Sequence, residues 1–385
     1  MRNKFRQAFS AIREHYPNVQ FGWSYKTNYL NEICKVFHSE GAIAEVVSQF
    51  EYEKARALGI PGSDIIYNGP LKSIESLRIA IHERAMINVD HFHEIEDIEA
   101  IAKEQGIKVK IGLRLNLDSG IYPLWSRFGF NLESGQAWAA ARRVFQSPYL
   151  AISGIHSHIG TFILDSSAYS RAAKKLSGFI REVEALTGAN IEYLDMGGGL
   201  PSLSHLKGIY QSPEVAVPSV ETYAQAIGAE LKWLLSRTPV PKLFIETGRH
   251  LIDEAGYLIT SVMADKLLPD GRRAYVLDAG VNLLYTSAWY KFKIETDRDV
   301  IGIMEPSILN GPLCMNIDVV EEAILLPRLQ RGQRLIISPV GAYNVTQWMQ
   351  FIQYRPAVVL IRESGAVQAI RRRETLDDIN RMESP

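Results

Sequence analysis

The chain has 385 residues, with 42 Lys+Arg against 43 Asp+Glu for a formal net charge of −1, and 46% of it is apolar. That balance offers no electrostatic lure for nucleic acid or an anionic membrane, and the apolar fraction excludes disorder as the main theme. The length suits two domains, or one large barrel with an appendage, and either buries a core without disulfides.

The first elements carry Arg2, Lys4 and Arg6, followed by Phe5, Phe9 and Ile12 at helical spacing and by Glu14. This pattern reads as the first helix of the fold and not as a targeting segment. No run of about 18 apolar residues is present to span a bilayer. Cys34 and Cys314 stand far apart with no Cys or His at finger spacing, which argues against structural zinc and a disulfide scaffold, so a reducing cytoplasm is the expected compartment.

Eight short β-like segments then alternate with helical ones: 19–26, 43–48, 65–70, 86–90, 110–116, 152–160, 192–199 and 242–249. Apolar residues three and four apart lie between them, as in Ile74, Leu77, Ile81 and in Ile95, Ile98, Ile101. Eight strand–helix units predict a (β/α)8 barrel. Beyond Arg249 come strand-like runs at 257–263, 274–278, 319–325, 334–340 and 357–362 without long helices between them. The expected fold is therefore α/β, a barrel over 1–252 followed by a β-rich second domain over 253–385, without a Pro/Ser-rich linker.

Reactive groups of such a barrel sit at the C-terminal ends of its strands, and polar residues collect there repeatedly. Strand one ends in Tyr25-Lys26-Thr27-Asn28, strand two carries Glu45 and strand five Arg114. Strand six supplies His156 to Thr161, strand seven Gly197-Gly198-Gly199, and strand eight Glu246-Thr247-Gly248-Arg249. Three glycines let backbone amides approach an anion and Arg249 adds a charged fork, which makes a phosphate cradle against the plainer reading of a flexible turn. Lys26 follows the alternation Phe21, Trp23, Tyr25 and is placed on the opposite face. A lysine inside a barrel is costly unless used, for instance to condense with an aldehyde such as pyridoxal phosphate. Glu246 is the acid suited to a protonated pyridine nitrogen. His156 and His158 share a strand face and can stack on a ring or ligate a metal, but His205 and His250 do not complete a ligand set, so no metal is expected.

These residues resemble the fold-type III pyridoxal phosphate decarboxylases, the group of diaminopimelate and ornithine decarboxylases, whose fold is shared with alanine racemase. The likeness spans nearly the whole chain. Tyr25 to Asn28 resembles that family's lysine motif, Gly154 to Thr161 its histidine strand, Asp195 to Gly199 its glycine turn and Glu246 to Arg249 its pyridine-acid motif. Asp278 to Asn282, Gly311 to Cys314 and Gly341 to Tyr343 continue the series in the second domain. The resemblance implies that Lys26 holds the cofactor and His158 stacks on its ring. It places Thr161, Gly197, Gly198, Gly199, Arg249 and Tyr343 on the phosphate and Glu246 on the ring nitrogen. It also makes Cys314 a proton donor delivered across a homodimer interface, with Arg114 beside the substrate.

Departures from the family pattern bear on the substrate. Thr286 stands where diaminopimelate decarboxylases have an arginine, Met315 where the family has an acid, Glu45 where an Asp is usual and Thr247 where a Pro is usual, and the start lacks most of the segment that normally precedes the lysine strand. With neither guanidinium nor carboxylate at those two substrate positions, the expected substrate is an amino-acid conjugate such as the siderophore intermediate citryl-diaminopropionate. The alternatives are diaminopimelate, ornithine or lysine decarboxylation, an amino-acid racemase and, in a different class, a metal-dependent barrel hydrolase. Cys314 and Glu246 weigh against the racemase, which uses a tyrosine base and an arginine at the ring nitrogen.

Overall fold

A computed structural model describes residues 1–383, which divide into two compact units. The first comprises 1–29, 33–202 and 215–251, and the second 30–32, 203–214 and the described residues from 252 onward. The division differs from a single cut after 252 in that two short segments of the barrel's sequence span belong to the second unit.

The first unit is a closed barrel of eight parallel strands: β1 (Val19–Ser24), β2 (Ile43–Val46), β3 (Ile65–Tyr67), β4 (Met86–Val89), β5 (Val109–Asn116), β6 (Leu150–Ser157), β7 (Tyr193–Asp195) and β8 (Lys242–Thr247). The ring closes through β1 against β8, Val19 opposite Leu243, and each strand pairs with the next, as in Asn88 opposite Gly112 between β4 and β5. Helix α1 (Arg2–His15) precedes β1 and buries Phe5, Ala8, Ala11 and Ile12, so the charged start is part of the fold. Helices α2 (Asn31–Ser39), α3 (Gln49–Ala57), α4 (Ile74–His82), α5 (Phe92–Gln105), α6 (Gln136–Phe145), α7 (Ser166–Thr187) and α8 (Val220–Glu230) follow the first seven strands in turn. Their starts are set by side-chain caps, Ser48, Ser73, Asp165 and Ser219 each accepting a backbone N–H of the first turn. In α7 the apolar stripe Ala172, Leu176, Phe179, Ile180 and Val183 is buried, and Gly188 ends the helix at φ 67°.

All eight strands fall where alternation and apolar runs place them, but all except β5 are shorter than expected, and for two the reason is plain. β1 stops at Ser24 and Lys26 sits in a 3-10 turn, Tyr25–Thr27, so its direction is not set by strand alternation. β7 stops at Asp195, because the next residues turn at Gly197 (φ 66°) and Gly199 (φ 100°), backbone that strands do not use.

The second unit is mostly β. Its six-stranded sheet contains β9 (Leu258–Leu267), β10 (Arg273–Leu277), β11 (Lys293–Thr296), β12 (Met304–Asn310), β13 (Val319–Pro327) and β14 (Arg334–Ser338), in spatial order β11, β14, β9, β10, β12, β13. Only β10 and β12 pair parallel. Val262, Tyr275, Leu277, Leu309, Leu335 and Ile337 form its core. Strands β11 and β12 are absent from the sequence reading: β12 contains Pro306, and β11 is short and half exposed, so neither presents an uninterrupted apolar run. Among the described residues no helix is long and apolar enough to cross a membrane.

Candidate active site

At the C-terminal end of β1 the ammonium of Lys26 lies 2.8 and 3.0 Å from the two carboxylate oxygens of Glu45 on β2. Glu45 is fully buried, whereas a third of the lysine side chain is exposed, so the amine faces an accessible mouth while its counter-charge is locked inside. A second lysine, Lys72, is wholly buried, but Glu94 Oε1 at 2.6 Å and the carbonyls of Gly69 and Asn88 at 2.9 and 3.0 Å take all three of its donors. Of these two amines Lys26 is the more accessible.

Glu246, at the end of β8, is buried with His156 Nε2 at 3.2 Å and His158 Nδ1 at 3.8 Å. Asn68 donates to its Oε1 at 2.5 Å and also to Glu45 Oε1 at 3.0 Å. Burial alone would raise the Glu246 carboxyl, but the hydrogen bond from His156 and the charge of Lys26 hold it well below the usual carboxylate range. Asp195 next to it is pushed well up, first by burial and then by the charge of Glu246. Burial pushes both histidines down, His158 to about 3, so both are neutral at pH 7. His156, Asp195 and Glu246 bring one ligand atom each within 4.8 Å of the others. Within this trio Glu246 Oε1 already accepts the Asn68 amide.

The turn after β7 packs against the loop after β6. Ile163 N–H donates to Gly199 O at 3.0 Å, and a Cβ on Gly199 would lie 2.5 Å from Gly160 O, so a side chain is excluded there. The amides of Gly197 and Gly198 are engaged by Asp195 Oδ1 at 2.9 Å and His158 Nδ1 at 3.0 Å. The second bond fixes the plane of the His158 ring, which also lies 5.1 Å from Trp125. Thr161 is exposed beside Phe162, which holds a left-handed φ of 53°, and the Arg249 guanidinium lies 6.0 Å from the Phe162 ring. Arg114 on β5 is buried against Asp90 at 3.3 Å and over the Phe128 ring at 4.6 Å. The barrel therefore brings together Lys26, His158, the glycine turn, Thr161, Glu246 and Arg249. A depression of about 860 Å³ lies at the opposite, N-terminal mouth, lined by Lys110, Glu192, Tyr193 and Lys242, away from this chemistry.

Cys314, Met315, Thr286 and Tyr343 belong to the second unit. Cys314 is an exposed free thiol. Its loop is pinned by Asp318, which accepts from Leu313 N at 2.7 Å and from Val281 N at 2.8 Å and so ties it to the Asp278 to Asn282 turn. Cβ atoms on Gly280 and Gly311 would lie 2.2 and 2.3 Å from that carboxylate, which explains both glycines. Thr286 is buried, its N–H and hydroxyl both donating to Asn344 Oδ1 at 3.2 and 3.0 Å. Tyr343 holds a φ of 62°. Asn68, Asn88 and Asp318 escaped the sequence reading because single Asn and Asp residues outside a motif carry no signal of their own.

The barrel's residues suit pyridoxal phosphate on several counts: an accessible lysine, a buried carboxylate held ionised, a neutral imidazole beside it, and a glycine turn next to an arginine. Comparisons with known proteins agree. A family model described as the pyridoxal binding domain of pyridoxal-dependent decarboxylases matches residues 2–253. The chain is 30% identical to the diaminopimelate decarboxylase of Aquifex aeolicus (strain VF5) over 98% of its own length and 89% of that protein's. It is 29% identical to the diaminopimelate decarboxylase of Bacillus subtilis (strain 168), over 99% and 88%. It is also similar to the crystal structure of diaminopimelate decarboxylase from Helicobacter pylori complexed with L-lysine, with a TM-score of 0.86 at 26% identity over 99% of this chain and 95% of that one.

Proposed function

Because the chain belongs to the pyridoxal-dependent decarboxylase family, we propose that Lys26, His158 and Glu246 work on that cofactor to remove the α-carboxylate of a diamino acid, with meso-diaminopimelate the leading candidate. The observation that carries the reading is Glu246, a buried carboxylate kept ionised in part by the charge of the accessible Lys26. When bound, the cofactor supplies an electrophilic aldehyde and an electron-accepting ring.

The chain's own groups do the rest. Lys26 Nζ is the anchoring amine, and Glu45 keeps it oriented and accepts its proton when the amine must act as a nucleophile. Glu246 presents an anionic oxygen to a protonated ring nitrogen, and the His158 imidazole, fixed by Gly198, offers a flat face for stacking. Thr161, Gly197 to Gly199 and Arg249 are assigned to the phosphate end. Within the turn, Gly199 is the amide assigned to the anion, since Gly197 and Gly198 donate inside the chain. Arg114, fixed by Asp90, is assigned to substrate positioning. Cys314 Sγ–H would be the proton source after the carboxylate has left, a role assigned to Cys314 of the partner subunit in a homodimer.

Support for the diamino acid comes from the relatives, whose names are those of diaminopimelate decarboxylases, one of them bound to L-lysine, the skeleton of diaminopimelate less one carboxylate. The siderophore conjugate expected from the sequence has no such support, and it stands as a second reading favoured by one observation. Thr286 is buried on Asn344 and Met315 carries no charge, so neither offers a counter-ion to a distal group. Specificity constants for meso-diaminopimelate, ornithine, lysine and citryl-diaminopropionate separate the two. Efficient turnover of the first supports the proposal, and turnover of the conjugate alone overturns it in favour of the second reading.

A further inference from the structure

Buried polar groups that the reaction does not obviously need cross the barrel interior in a single line. The Tyr193 hydroxyl donates to Asn88 Oδ1 at 2.8 Å, Asn88 Nδ2 donates to Asn68 Oδ1 at 2.9 Å, and Asn68 Nδ2 donates to Glu45 at 3.0 Å and Glu246 at 2.5 Å. Asn88 and Glu45 are completely buried, and Asn68, Glu246 and Tyr193 keep only 2%, 5% and 6% of their surface. The direction of the line is forced from its carboxylate end. Ionised carboxylates only accept, so Asn68 must turn its amide toward them and its carbonyl toward Asn88. Asn88 must then turn its amide toward Asn68, which leaves its carbonyl for the tyrosine hydroxyl.

Room for this line is built into the strands. A Cβ on Gly112 would stand 2.1 Å from Asn88 Oδ1 and 2.2 Å from the Tyr193 oxygen, and one on Gly154 would stand 2.0 Å from Tyr193 Cζ. Two strand glycines, normally a cost, here make space for a hydrogen-bonded chain in which every amide is satisfied. The backbone of Asn68 is held as well, its N–H donating to Val46 O at 2.8 Å.

We propose that Asn68 is a positioning residue which, backed by Asn88 and Tyr193, yokes Glu45 to Glu246 and so fixes the lysine's counter-ion and the ring-nitrogen acid relative to each other. The assignment rests on the functions proposed above for Lys26 and Glu246. Without Asn68 two buried carboxylates lose a shared donor, Glu246 loses its fixed direction, and Glu45 is left to Lys26 alone, which favours the ammonium form.

The test compares wild type, Asn68→Ala and Tyr193→Phe, each first shown folded by circular dichroism and thermal melting. Without cofactor, competitive acetylation read by mass spectrometry gives the pH midpoint of Lys26. The expected result is an upward shift of about half a unit or more in Asn68→Ala and a smaller shift of the same sign in Tyr193→Phe. With pyridoxal phosphate, Asn68→Ala weakens cofactor affinity about tenfold. In a Glu246→Gln background the same substitution adds little to that loss, because its effect runs through Glu246. An unmoved Lys26 midpoint in folded Asn68→Ala, or a full additional loss of affinity in the Glu246→Gln background, overturns the proposal. Failure of wild type to bind pyridoxal phosphate would instead refute the function assigned above, and the acetylation result would still decide the role of Asn68.

Discussion

Lys26 Nζ stands 2.8 Å from Glu45 Oε2, and the pair is unequally buried, the carboxylate fully enclosed and a third of the lysine side chain open. Such a pair presents an amine outward while the protein keeps its counter-ion in place. Lys72, the other lysine buried at this end, spends every donor inside the fold.

Lys26→Ala is therefore expected to abolish the visible absorption that pyridoxal phosphate gives on the wild type and that borohydride reduces irreversibly. Absorbance before and after borohydride checks it, and an unchanged reducible band in the variant would move the anchor to another amine.

Glu246→Gln keeps the shape but removes the charge. Cofactor is expected to bind while kcat falls by about a hundredfold or more, since a neutral amide cannot stabilise a protonated ring nitrogen. Steady-state rates at saturating cofactor check it, and unaltered turnover would mean that the ring is not used as an electron sink.

His158 gives a signed dependence of stability on pH. Burial holds it near 3 in the fold against 6.5 for the free side chain. Between those values the unfolded chain binds the extra proton, so His158 costs stability as pH falls from 6.5 toward 3 and nothing above 6.5. In urea unfolding of the cofactor-free protein, His158→Gln should gain on wild type as pH drops from 7 to 5. The gain stays below the one-proton limit of about 1.4 kcal/mol per pH unit, because the side chain keeps 14% of its surface exposed. A constant difference between the two proteins would show that His158 titrates normally.

If Cys314 acts across a two-fold interface, Lys26→Ala and Cys314→Ala are each inactive, but mixed subunits form one intact site per heterodimer. Random mixing is then expected to restore about a quarter of wild-type activity. No recovery after verified exchange would place lysine and cysteine of one site on one chain.

Much of this was legible in the sequence, for physical reasons that differ along the chain. The eight barrel strands show because each is a short apolar run closed by turn residues, and the motif residues show because Lys26, His158, the glycines, Glu246 and Arg249 cluster at strand ends. Strand limits were less legible: Tyr25 continues the alternation of Phe21 and Trp23 although the backbone has already turned. The Asn68 bridge to Glu246 joins residues 178 apart, and an isolated asparagine gives no hint of such a partner. Thr286 stood out only as a departure, and its bond to Asn344 gives it a packing role that the sequence does not display.

The central claim is tested most directly by measuring CO2 released per amino acid consumed when the protein, loaded with pyridoxal phosphate, meets meso-diaminopimelate. One CO2 per substrate with L-lysine as the amino-acid product, and none from Lys26→Ala, is the expected result. Consumption of substrate without CO2, or equal release by Lys26→Ala, would contradict it.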